Sequence, residues 1–131
     1  MAPGDLGELL SHLSVRRRPG SWCMVSGVTV PKETTAAATI VEDEGTTTVL
    51  ALADAERLGV RPDFVAAWLT VEAYSALDAV GLTAVLASAL AGANIACNVL
   101  AGYHHDHLLV PIGEADRAIA VLRSLRSPLG R

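Results

Sequence analysis

A chain of 131 residues, 51% hydrophobic and only 4% aromatic, can bury one sizeable core of small aliphatic layers. With a formal net charge of -4 and few aromatics, it lacks the broad basic, stacking face that nucleic-acid binding needs. Residues 1–10 include Asp5 and Glu8 and lack the apolar run of a signal peptide, and no run is long enough to span a bilayer. No membrane association is expected, and a cytoplasmic location is.

Residues 5–13 set Leu6, Leu9, Leu10 and Leu13 at helical spacing, with Asp5 as an acid at the start. Residues 15–20, with Arg16, Arg17, Arg18, Pro19 and Gly20, read as a solvated connector. A strand is expected over 22–30, where large and β-branched apolar residues run up to Pro31. Residues 34–41 and 46–52 read as a hairpin around the polar turn Glu42-Asp43-Glu44-Gly45. A short helix over 53–58 ends at Gly59, and Pro62 opens a new segment.

Residues 64–73 alternate strictly. Val65, Ala67, Leu69, Val71 and Ala73 make a core face, and Trp68 is expected to cover part of the other. A loop then passes Gly81 into a helix over 82–93 with Leu82, Val85, Leu86, Ala89, Leu90 and Ala93 on one side. The opposite side, Thr83, Ala84, Ala87, Ser88 and Ala91, has no charge. It either tolerates water or lets another backbone approach closely. Strands are expected over 95–100 and 107–112 around a turn at 102–106. A closing helix over 114–126 turns Ala115, Ala118, Ile119, Leu122 and Leu125 inward. Cys23 and Cys97 share no metal spacing and read as reduced core thiols.

The halves thus read α-β-β-β-α and β-α-β-β-α, an α+β chain in which each half is one element short of a ferredoxin-like βαββαβ unit. The division is placed at 1–62 and 63–131. The second half lacks its last strand, so the first is expected to lend one.

Two loops carry the chemistry. The first backbone N–H groups of the helix at Leu82 have no internal partners, and the helix dipole adds positive potential, which suits a carboxylate. Gly81 lets a ligand approach the backbone, and Asp78 offers a partner to an ammonium group. The loop therefore suits the zwitterion of a free amino acid. The alternative is that Asp78 and Gly81 only build a turn, with Asp78 capping the helix. Asn98, mid-strand among apolar residues, reads as a buried amide that fixes a loop or reads a ligand.

His104, His105, Asp106 and His107 invite a metal reading, yet adjacent strand residues point to opposite faces and no second cluster completes a shell. A structural or interface turn and a ligand contact are the stronger readings, and neither metal nor cofactor is expected. No nucleophile–base pair, phosphate loop or dinucleotide fingerprint is present, so no enzyme is expected.

The stretches Tyr74-Ser75-Ala76-Leu77-Asp78-Ala79-Val80-Gly81-Leu82-Thr83-Ala84 and Ala101-Gly102-Tyr103-His104-His105-Asp106-His107-Leu108-Leu109-Val110-Pro111 resemble those of small tandem ACT-domain proteins. The cytosolic arginine sensors of animals are more distantly similar. Ala76 stands where such loops often carry a second serine. The resemblance implies a ferredoxin-like ACT fold of two intertwined modules. It also implies a regulatory protein that binds a small ligand, an amino acid, where ACT modules meet. On that reading the site comprises Ser75, Leu77, Asp78, Ala79, Val80, Gly81, Leu82, Asn98, Tyr103, His104, His105, Asp106 and His107. A homodimer and a regulated protein partner are expected with it. The alternative is an oligomerisation or protein-interaction module without a ligand.

Overall fold

The computed structural model describes residues 6–73 and 79–126. In chain order the elements are α1 (Leu6–Ser11), β1 (Ser14–Ser26), β2 (Ala38–Glu42), β3 (Gly45–Ala51), α2 (Leu52–Arg57), β4 (Val65–Glu72), α3 (Leu82–Gly92), β5 (Asn98–Ala101), β6 (Asp106–Pro111) and α4 (Ala115–Arg123). A single 3-10 turn, Ile112–Glu114, leads into α4. The strands form one antiparallel sheet in the order β2-β3-β1-β4-β6-β5.

That order holds two overlapping ferredoxin-like units. The strands β5, β6 and β4 take the N-terminal part of β1 as their fourth strand, pairing Ser14–Arg18 against Trp68–Glu72. The strands β2, β3 and β1 in turn take the start of β4, through Trp22↔Ala66 and Cys23↔Val65. Each half supplies the other's outer strand, so neither closes its own sheet. The expected loan from the first half is present, and it is reciprocal.

The expected connector at 15–20 is instead strand. Between the pairs Arg18↔Trp68 and Trp22↔Ala66 the chain advances four positions on β1 and two on β4, so the register shifts there. Proline is tolerated inside a sheet at such a bulge, and Gly20 supplies a φ of 96° that a side chain would resist. Three strand ends also fall short of their expected positions. β1 stops at Ser26 because Gly27 turns with a φ of 68°. β2 starts only at Ala38, after a turn closed by the Thr34 N–H donating to the Pro31 carbonyl. β5 starts only at Asn98, because Asn94, with a φ of 60°, folds the end of α3 back so that the Ile95 N–H reaches the Leu90 carbonyl.

The alternation of β4 divides the molecule. Ala67, Leu69 and Val71 join Leu13, Val15, Leu108 and Val110 beneath α3 and α4, where Leu86, Leu90, Ala118 and Leu122 are fully buried. Burying a leucine side chain of this kind stabilises the fold by roughly 1.5–3 kcal/mol. Cys23, Val25 and Leu50 pack instead on Ala55 of α2, with Val28 and Val30 from the loop 27–37. The opposite face of the sheet gathers Trp22, Val49, Ala66, Trp68 and Leu109. Ala38 of β2 and Leu100 of β5 both pack against that cluster, so the sheet curls until its two edges face each other across Trp68.

Candidate ligand-binding site

The end of β4 and the start of β6 meet at one end of the sheet, where the chain leaves β4 toward α3. Val71 pairs with Asp106, and His105 Nε2 lies 3.5 Å from Glu72 Oε2. The other oxygen of Glu72 accepts from Arg16 Nε at 3.5 Å. One carboxylate thus bridges β1 and the β5–β6 turn just before the loop into α3.

Ser75, Leu77 and Asp78 lie outside the described residues. Of the rest of that loop, Val80 is 89% exposed and Leu82 is buried under the sheet. Gly81 is the N-cap of α3, with a φ of 102° and no side chain to offer the helix. Its carbonyl accepts the first intrahelical bond, from the Val85 N–H at 3.0 Å. The preceding N–H groups of the first turn therefore have no partner within the helix. No acid occupies that turn. A Cβ at Gly81 would stand 3.4 Å from Leu6 Cδ2, which places α1 against this corner.

The β5–β6 turn lies at the same end. The Gly102 N–H donates to the His105 carbonyl at 3.0 Å, which closes it. Tyr103 and His104 project into solvent with their rings 5.1 Å apart. His105 is half-buried, and its Nδ1 has no partner among the described residues. No group of three or more metal-ligating side chains converges among the described residues.

Asn98 is exposed, which corrects the expectation of a buried amide. β5 is an edge strand that begins at this residue, so water reaches its side chain. It pairs with Leu109 whereas Ala101 pairs with Asp106, which puts it about 10 Å along the strand from the turn. The structure puts His105 and Asp106 at the end of the sheet where β4 leads on toward α3, and leaves Asn98 at the other.

His107 faces the curled side of the sheet. Trp68 Nε1 donates to Thr70 Oγ1 at 3.1 Å and to His107 Nδ1 at 3.2 Å, and Thr70 Oγ1 lies 3.0 Å from that nitrogen. An indole N–H only donates, so Nδ1 accepts and the ring proton sits on Nε2. Protonating Nδ1 would set two donors face to face. Burial, foremost, with the charges of His105, Arg18 and Arg16, holds this imidazole below its ordinary value, against the raising effect of Asp106. Burial alone pushes the thiols of Cys23 and Cys97 up, and neither is paired in a disulfide.

The sequence did not reveal the aromatic platform beside His107. The Arg18 guanidinium carbon lies 4.4 Å from the ring centre of Trp22 and 4.6 Å from that of Trp68, and the two indoles meet edge to face at 5.3 Å. Reading Pro19-Gly20 as a bulge within one strand would have put Arg18 and Trp22 on the same face.

A split βαβ sheet doubled by strand exchange, with helices over one face, is the architecture of a regulatory small-ligand-binding domain. The chain belongs to the ACT-domain family: residues 64–124 match one ACT domain and residues 3–67 another. ACT domains are regulatory units that bind small ligands, and they are not catalytic. A Vibrio cholerae protein of unknown function, described as a possible transport protein, is 31% identical, with 93% of this chain aligned to 96% of that one at a TM-score of 0.84. An Agrobacterium tumefaciens protein is 18% identical, with 87% and 89% of the chains aligned and a TM-score of 0.62. Clostridium acetobutylicum aspartate kinase shares the fold at 9% identity and a TM-score of 0.62, and the matched region is 34% of that enzyme. No curated protein matches the chain. No helix among the described residues is long and apolar enough to cross a membrane.

Proposed function

We propose that this protein is a non-enzymatic cytoplasmic sensor that binds a free amino acid where ACT modules meet, as a homodimer acting on a regulated partner. The modules divide at 1–62 and 63–131. The loop from Ser75 to Leu82 and the turn from Tyr103 to His107 form the site, and Asn98 drops out of it. The observation that supports this reading is the N-terminus of α3, where Gly81 is the N-cap and, among the described residues, no side chain caps the helix and no acid lies in its first turn. A ligand carboxylate satisfies those N–H groups and sits in the positive end of the helix dipole. Asp78, earlier in the loop, then takes the ammonium group.

The test is a thermal-shift screen against the twenty amino acids at millimolar concentration. Binding to the folded state alone adds about 2.7 kcal/mol at a hundredfold excess over Kd. A selective shift that Asp78→Ala abolishes, with the unliganded midpoint little changed, is expected. A flat screen would refute the proposal. A second reading, an interaction module without a ligand, draws on the exposed, uncharged outer face of α3, where Thr83, Ala84, Ser88 and Ala91 all meet solvent. A flat screen with a dimer in sedimentation would favour it.

A further inference from the structure

The curl of the sheet leaves a cleft of about 340 Å³ between its two edges. Ala38 and Ile40 of β2 form one wall, Leu100 and Gly102 the other, and Trp68 and His107 the floor. It opens on the face of the sheet opposite α3 and α4, and shares only His107 with the site proposed above. We propose that this cleft binds a small aromatic carboxylate, its ring against Trp68 and its carboxylate accepting from His107 Nε2.

Shape and chemistry lead to this class together. The volume is at the small end for ligand pockets and suits a single ring with a short substituent. Aliphatic walls on an indole floor favour a flat apolar body. The polar end must be an acceptor, because Trp68 and Thr70 hold Nδ1 and leave the Nε2 proton facing the cleft with no hydrogen bond among the described residues. Gly102 keeps that approach open, since a Cβ there would stand 3.1 Å from Nε2.

Charge selects an anion. Arg18, half-buried on the Trp68 ring, makes no ion pair among the described residues. Arg16 adds positive potential, although it has Glu72 as a neighbour. Asp106 is the opposing charge, and as the next residue along β6 it points to the other side of the sheet from His107. No carboxylate lines the cleft among the described residues.

Trp22 and Trp68 are the only tryptophans in the chain, so intrinsic fluorescence reports on this site. Titration of the full chain with benzoate is expected to give a saturable change with a Kd on the order of 1 mM. Benzamide should bind several-fold more weakly, and benzylamine not at all. Ala38→Phe, which fills the cleft, should abolish the response. Ile40→Glu, at an exposed edge position, should abolish benzoate binding and spare benzamide. Arg18→Met should weaken benzoate several-fold and leave benzamide unchanged. A linear, unsaturable response to benzoate, or a saturable one that survives in folded Ile40→Glu, would overturn the proposal. It does not rest on the amino-acid site, and a flat amino-acid screen leaves it standing.

Discussion

The two halves share a strand order and differ in what covers it. In the C-terminal half the crossover from β4 to β5 runs through α3, and α4 lies beside it, so the strands sit under two helices. In the N-terminal half the crossover from β1 to β2 is the loop 27–37, and α2 with residues of that loop shields the strands. Pro31 and the turn at 31–34 occupy the place where a helix would run. A connection without a helix has no bundle of free N–H groups at its start. The same sheet geometry therefore presents a crossover-helix N-terminus once among the described residues, in the C-terminal half, while the N-terminal half contributes its outer strand and its arginines.

If stability follows that covering, the halves should respond unequally to truncation. Leu86 is fully buried beneath the sheet, and Leu86→Ala should cost about 2–5 kcal/mol. Val30, partly buried on the loop, should lose about 1 kcal/mol or less on truncation to alanine. Urea denaturation of both variants measures the difference. Equal costs would mean that the loop packs as tightly as a helix, and the contrast between the halves would fail.

A smaller effect concerns the two faces of β4. Burial holds the folded His107 imidazole below its ordinary value of 6.5, so the unfolded chain binds the proton more readily. Stability contributed by neutral His107 is fully present above 6.5 and is lost as pH falls from there through the folded value. The melting temperature should therefore drop on acidification below neutrality. His107→Gln should flatten that part of the profile. An unchanged profile in the variant would show that the Trp68–Thr70–His107 cluster does not discriminate between protonation states.

Much of this could be read in the sequence where one period dominates. The alternation of 64–73 marked both faces of β4, and the helical spacing of 82–93 and 114–126 marked the buried sides of α3 and α4. Composition misled at β1. Three arginines followed by Pro-Gly look like a turn, but the strand passes straight through because a bulge absorbs the proline and the arginines lie over solvent or indole. Asn98 misled for a related reason: its neighbours in sequence are apolar, but it opens a short edge strand. The cleft was not legible at all, because it depends on the curl that brings β2 to β5, a relation between the most distant strands of the sheet.

The smallest effect falls at the charged rim where β4 ends. Glu72 lies 3.5 Å from both Arg16 and His105, which looks like a structural anchor joining β4 to β1 and to the β5–β6 turn. Energetically it is not one. The Arg16 side chain is 61% exposed, so water and salt screen the pair and the ordering of two long side chains offsets most of the attraction. Glu72→Gln should shift stability by no more than about 1 kcal/mol, and less at high salt. Chemical denaturation at low and high ionic strength decides this. A loss well above that, insensitive to salt, would place Glu72 in a desolvated network. The end of the sheet would then resemble the aliphatic layer beneath α3, and a ligand could not reach the turn without dismantling it.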